Sequence, residues 1–308
     1  MQEKDVIERL RRLATDPAAR GLRDDTALLE GLVLTHDSMA EGVHFLSTDP
    51  PASVGWKLVA VNLSDLAGKG ARPAGALLSM VLSDPDWDAG IIDGIEAACE
   101  SYGLPLLGGD TIALPVGAPR VYGLTAIGRA GTHTPSRAGG RPGDRLWLAG
   151  TLGDSAAGLA LLEGKPAVPG PLSEVYQRPI PLLEMGQALA PSAKAMMDVS
   201  DGLLIDLQRL CDASGCGAAI DLERLPLSNA FIAERGNGRE ARLFAATGGD
   251  DYALLAALPD SVDPVSLSLP IAPTLTCIGQ LVDGSGLVIE DRDGDVPVPE
   301  RLGYEHHA

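Results

Sequence analysis

Aspartates recur in this chain at the ends of apolar runs, each with small residues beside it: RDDTALL (Asp24, Asp25), LTHDS (Asp37), VNLSDLAGKG (Asp65), LLGGDT (Asp110), MDVSDG (Asp198, Asp201) and TGGDDY (Asp250, Asp251). A lone carboxylate at the edge of a core is disfavoured unless something positive meets it. Taken singly, each has an ordinary explanation, because Asp is common in turns and at helix N-caps. Taken together they suggest a ligand site. Small neighbours let backbone approach a ligand, and several convergent carboxylates repel one another unless cations neutralise them. Hard oxygen donors without His or Cys point to magnesium rather than zinc. Magnesium in such a site completes its shell with water and phosphate oxygens, and a nucleotide polyphosphate is the partner this chemistry suits.

The standard phosphate cradles are missing. GLALLEGKP, residues 158–166, has one residue too many between its glycines for a P-loop, and Pro where Ser or Thr is required. No GxGxxG follows a strand, and no HRD or DFG set occurs. An ATP site in this chain needs a different architecture.

The elements that must position the aspartates read as mixed α/β. LVL at 32–34, ALLSMVLS at 76–83, LPLL at 104–107 and VYGLTAIG at 121–128 are predicted strands. SVGWKLVAVNLSDLAGKG and AGIIDGIEAACESYG carry apolar residues at helical spacing, each closed by Gly. Further on, DRLWLAG and GAAIDL read as strands, while TLGDSAAGLALLEG and MMDVSDGLLIDLQRLCDASG each read as a turn plus a helix. In this reading the acidic motifs sit in loops, after a strand or before a helix, where loops project toward a ligand crevice. Within DVSDGLLIDL, Asp206 reads as an ordinary helix-surface residue. Between the halves, THTPSRAGGRPGD at 132–144 is rich in Gly, Pro and Arg and reads as a connection. The predicted division is residues 1–136 and 137–308, consistent with the usual size of domains.

Bulk properties exclude several classes. With 42 acidic against 24 basic residues the net charge is -18, which repels nucleic acid and anionic membrane over most of the surface. Apolar residues make up 45% of the chain, but no run approaches the ~20 needed to span a bilayer, and MQEKDVIERLRRLA is charged rather than signal-like. A soluble, cytoplasmic protein is expected. Cys99, Cys211, Cys216 and Cys277 form no CxxC pair, so neither zinc nor a disulfide framework is supported.

The ordered series RDDTALL, THDSMAEGVHF, WKLVAVNLSDLAGKGARP, LLGGDT, SRAGGRPGDRLWLAGTLGDSAAGLALL, MDVSDGLLIDL, TGGDDYALL, TCIGQ and GYEHH resembles the thiamine-monophosphate kinase family of the aminoimidazole-ribonucleotide-synthetase-like superfamily. The resemblance spans about residues 20–308. It implies a two-domain α/β (α+β) fold: an N-terminal mixed sheet with helices on one face, which binds ATP and magnesium and dimerises, and a C-terminal α/β domain completing the active site. It also implies ATP-dependent phosphorylation of thiamine monophosphate and a homodimer packed through the N-terminal sheets. Carried over by residue, it places Asp25, Asp37, Asp65, Asp110, Asp198 and Asp201 on magnesium, with Thr35 and His36 as further metal contacts. Tyr102, Gly109, Asp110, Arg137 and Ser200 fall at nucleotide positions, and His44, Asp250 and Tyr304 at the thiamine phosphate site. Three positions depart from the family's pattern: His36 where Thr is more common, no glycine before Asp24 and Asp25, and Asp250 where Glu is common. Two other readings stay open: another ATP-dependent synthetase of the superfamily, and a non-catalytic nucleotide sensor.

Overall fold

The computed structural model describes residues 3–164, 169–264, 267, 270 and 272–306; Lys165 and Pro166, the end of the near-miss phosphate loop, lie outside them. The first half begins with α1 (Glu3–Leu10), β1 (Ala27–Leu29), β2 (Leu32–Ala40) and α2 (Pro51–Gly68), and continues through β3 (Arg72–Leu82), α3 (Pro85–Tyr102), β4 (Leu106–Ala113) and β5 (Val121–Arg129). The strands form a five-stranded mixed sheet in the order β1-β2-β5-β3-β4, antiparallel except for the parallel pair β3 and β4.

The second half begins with β6 (Arg145–Ala149), α4 (Asp154–Glu163), α5 (Pro171–Gln177), α6 (Leu183–Leu189) and β7 (Ala195–Val199). There follow α7 (Leu203–Ser214), β8 (Gly217–Asp221), α8 (Asn229–Arg235), α9 (Arg239–Thr247) and β9 (Ala253–Leu258), then β10 (Leu275–Val282), β11 (Gly286–Asp291) and β12 (Gly294–Val296). Its seven-stranded sheet runs β12-β11-β8-β10-β6-β9-β7.

Helix α2 holds the two sheets together. It is apolar on nearly every side, the signature of a helix with no solvent face. It packs against α3 and the first sheet on one side and against α6 and β7 on the other. Close approach requires glycine at these contacts: a Cβ on Gly186 of α6 would lie 2.0 Å from Ala67 O, and one on Gly94 of α3 would lie 1.9 Å from Ala52 O. One core therefore runs from Val33 and Leu124 through Leu58 and Leu66 to Met196 and Leu254, under both sheets. A second core, around Met197, Leu207, Phe231 and Leu255, fills the other face of the larger sheet beneath α7 and α9.

Two elements differ from the sequence expectation. The strand expected at 104–107 runs from Leu106 to Ala113, so LLGGDT lies inside β4. The segment before DVSDG, expected as a turn, is the wholly buried strand β7; a five-residue strand covered on both faces shows no alternation by which to recognise it.

Candidate functional site

A cleft of about 480 Å³ opens at the junction of the two sheets, with contributions from β2, α2, the turn after β7 and the turn before β9. Lys57, Val61 and Asp65 all line it. They lie four residues apart on α2, so the helical repeat stacks them on one face. Thr35 and Asp37 alternate with His36 along β2, and strand geometry sends their side chains to the opposite face from the imidazole.

The oxygens of Asp25, Asp65 and Asp198 all lie within 4.8 Å of one another, although 173 positions separate the first from the last. Thr35 Oγ1 donates to Asp65 Oδ2 and Ser64 Oγ donates to Asp198 Oδ2 at 2.7 Å. The backbone N–H of Asp37, which also lines the cleft, donates to Asn62 Oδ1 at 2.9 Å. Burial and neighbouring carboxylates push Asp37 up to about 6 and Asp198 up to about 8, and hold Asp65 well above the usual range. Asp25 goes the other way: burial would raise it, but Lys69 and Arg137 together hold it below its ordinary value. Lys69 is fully buried and donates to Asp24 at 2.7 Å, Asp25 at 2.5 Å and Met196 O at 3.1 Å.

Asp201 and Ser200 follow β7 into the cleft. Arg209 Nη1 donates to Asp201 at 2.5 Å and to Asp206 at 2.8 Å. Asp206 corrects the surface reading: it is completely buried, and its Oδ2 accepts the backbone N–H of both Ser200 and Asp201 at 3.1 Å. It is the carboxylate that caps this turn, which leaves Asp201 directed at the cleft. Arg137 pairs with Asp25, and its Nε is buried without a partner among the described residues.

His44, Asp250 and Tyr304 also line the cleft. His44 Nδ1 accepts the Ala40 N–H at 3.1 Å, so the proton of the neutral ring sits on Nε2; burial lowers its pKa and favours that neutral form. His306 lies between His44 and Tyr304, with ring centroids at 5.5 and 5.0 Å. Asp251 serves structure: it is half-buried and accepts the N–H groups of Gly153 at 2.7 Å and Ser155 at 3.4 Å, at the start of α4.

Four predicted site residues lie elsewhere in the single chain. His36 bonds Thr125 at 2.9 Å and Ser38 at 3.3 Å on the open face of the first sheet, turned away from Asp37. Gly109 and Asp110 are on the exposed edge strand β4. The register places Asp110 opposite Ser79, Gly123 and Ser38 in turn, three strand spacings or about 14 Å from β2. Tyr102 packs edge-on against Trp56 in a separate groove that Arg178 also lines. The loop placement of the motifs is also corrected: Asp37, Asp65, Asp110 and Asp198 lie within β2, α2, β4 and β7. Lys57, Lys69 and Arg209 were missed. The spacing 57, 61, 65, 69 was the available signal for both lysines; Arg209 carried none beyond its place one turn after Asp206.

The donors around the cluster are carboxylates and the Thr35 hydroxyl, and burial and neighbouring carboxylates make three of the carboxylates hold protons more tightly than usual. A hard divalent cation such as magnesium fits this set.

The fold and this carboxylate-lined junction define a class. The family description "AIR synthase related protein" matches the chain through its N-terminal domain over residues 23–130 and its C-terminal domain over 141–291. The thiamine-monophosphate kinase of Escherichia coli (strain K12) is 38% identical over 304 residues, covering 94% of this chain and 92% of that one. That of Caulobacter vibrioides is 37% identical over 326 residues, covering 99% and 90%. The solved structure of AaThiL complexed with AMPPCP and TMP has a TM-score of 0.86 and 31% identity, covering 99% of this chain and 97% of that one. Within the AIR synthase related proteins, the chain belongs to the thiamine-monophosphate kinase family.

Proposed function

We propose that this protein transfers the γ-phosphoryl group of ATP to thiamine monophosphate, giving thiamine diphosphate and ADP. The observation that carries this reading is the cleft that Asp25, Asp37, Asp65 and Asp198 line together with His44, Asp250 and Tyr304. A phosphate donor held at the carboxylates and an acceptor held by His44, Asp250 and Tyr304 would share this cleft, as in-line phosphoryl transfer requires.

Asp25, Asp37, Asp65, Asp198 and Asp201, with Thr35, would hold magnesium, which when bound supplies charge neutralisation between these carboxylates and the triphosphate. Arg137 and Ser200 border the cleft and would bind phosphate oxygens, which the guanidinium's planar fork of donors suits. His44 offers Nε2–H to the acceptor, and Asp250 offers carboxylate oxygens to a cationic or amino group. The acceptor phosphate is already ionised at neutral pH, so the chain needs no general base and no phosphoenzyme.

A homodimer is part of the proposal. Leu77, Leu106, Leu107, Ile112 and Val121 are exposed on the first sheet, and β4 is an open edge. A second copy packed through these sheets would bring its Gly109 and Asp110 to the carboxylates of the first. In this reading residues 1–136 bind ATP and magnesium and dimerise, residues 137–308 complete the site, and the protein acts in the cytoplasm. Among the described residues no helix is long and apolar enough to cross a membrane.

The test is ADP release with thiamine monophosphate, with thiamine and with no acceptor. Turnover with the first alone is expected; equal turnover in all three would defeat the assignment, and nucleotide binding without ADP formation would favour a sensor.

A further inference from the structure

Lys57 is 2% exposed, yet it is an ammonium in the middle of an apolar helix. Its Nζ donates to Asp250 Oδ2 at 2.9 Å and to His44 O at 3.0 Å, and lies 3.9 Å from the centroid of the Tyr176 ring. These partners come from three parts of the chain: the turn before β9, the loop after β2, and α5. Burying a lysine this way is costly unless its partners hold it in one geometry.

The turn that carries Asp250 is unusual in its own right. Asp250 has φ +68 and Tyr252 φ +51, left-handed values that cost a non-glycine residue about 1 kcal/mol or more each. Such a turn persists only where the surroundings over-determine it. Here Asp250 N–H donates to Ser200 O at 2.7 Å and Tyr252 N–H to Val199 O at 2.9 Å. Tyr252 Oη donates to Asp250 Oδ1 at 2.8 Å. Each carboxylate oxygen of Asp250 thus has one fixed donor and a lone pair left over, and Asp250 lines the cleft.

We infer that Lys57 is a positioning residue for the acceptor: it fixes the Asp250 carboxylate and the backbone of His44 in the one arrangement that receives thiamine monophosphate, and acts through these two residues rather than by its own contact. The inference rests on the proposed reaction. It deepens that reading by assigning acceptor recognition to a cation in the N-terminal half, on the same helix face as Asp65.

The test compares Lys57→Met with wild type in steady-state kinetics, varying ATP and thiamine monophosphate separately, and in calorimetric titration with thiamine monophosphate alone. The KM and Kd for thiamine monophosphate should rise about tenfold or more, the scale of losing one partner of a hydrogen-bonded charge pair, with the KM for ATP within about twofold of wild type. Asp250→Asn should weaken acceptor binding similarly. In the Lys57→Met, Asp250→Asn double variant the losses should be far from additive, because the lysine acts through the carboxylate. Tyr252→Phe removes the other donor to Asp250 and should raise the KM for thiamine monophosphate alone, which keeps the test open should Lys57→Met fold poorly. Equal changes in both KM values, full additivity in the double variant, or an unchanged acceptor KM in Tyr252→Phe would overturn the positioning role. Failure of wild type itself to use thiamine monophosphate would instead defeat the proposed function.

Discussion

Ser64 on helix α2 donates its hydroxyl to Asp198 Oδ2 at 2.7 Å, joining two completely or nearly completely buried residues 134 positions apart. Through this bond the helix of the first sheet orients a carboxylate of the second. Asp198 is therefore held at the cluster while it retains a proton more readily than an ordinary aspartate, up to about pH 8.

Asp198→Asn should lower turnover by about 100-fold or more, as expected on removing one element of an electrostatic transition-state site. In EDTA the same variant should unfold at a temperature equal to or above wild type, because a buried acid that resists ionisation has been replaced by a neutral isostere. Turnover assays and thermal unfolding in EDTA check both halves.

Stability without metal should fall as pH rises. Burial and mutual repulsion raise Asp37 to about 6 and Asp198 to about 8 in the folded protein. A raised carboxylate contributes stability in full below its unfolded value near 4 and loses it as pH climbs through the folded value. The window is thus about pH 4 to 8. Asp25, held low by Lys69 and Arg137 against its burial, acts only below that window. Unfolding temperatures in EDTA should fall across the window, and the rise produced by magnesium should grow. A flat profile in EDTA would contradict the buried cluster.

Asp201 and Asp206 should separate function from stability. Asp201→Asn should cost turnover with little loss of stability, because its carboxylate faces the cleft. Asp206→Ala leaves two backbone N–H groups unsatisfied and Arg209 without its buried partner, and should destabilise by about 2–4 kcal/mol. Urea unfolding of both variants beside their kcat values distinguishes the roles.

Gly186→Ala should destabilise without removing any polar side chain. The added Cβ would meet Ala67 O at 2.0 Å, so α6 and α2 must move apart. Overpacking of this kind costs about 1–3 kcal/mol, and it should also lower kcat by shifting Asp65 relative to Asp198.

Mixing inactive Asp65→Asn and Asp110→Asn subunits should restore activity if a partner's β4 completes the site. Each mixed dimer would hold one intact set of carboxylates. No recovery after co-refolding would place Asp110 outside the partner's cleft.

Much of this protein was legible in its sequence. The mixed α/β class followed from the periodicities, the break at 132–144 falls between β5 and β6, and most of the acidic motifs with their small neighbours supply carboxylates to the cleft. These features are local: a residue's type, its immediate neighbours and its place in a repeat carry them. Tertiary structure decided which aspartates meet. Asp206 and Asp201 look alike five residues apart, yet one caps the turn from inside the core while the other faces the cleft. His36 adjoins Asp37, yet the pleat of β2 sends it to the opposite side. Lys57 and Lys69 drew no reading from the sequence; the two sheets closing around α2 leave each ammonium with carboxylate partners. The physical reason is that charge in a protein takes its meaning from burial and from partners far away in the chain, and both exist only after the chain has folded.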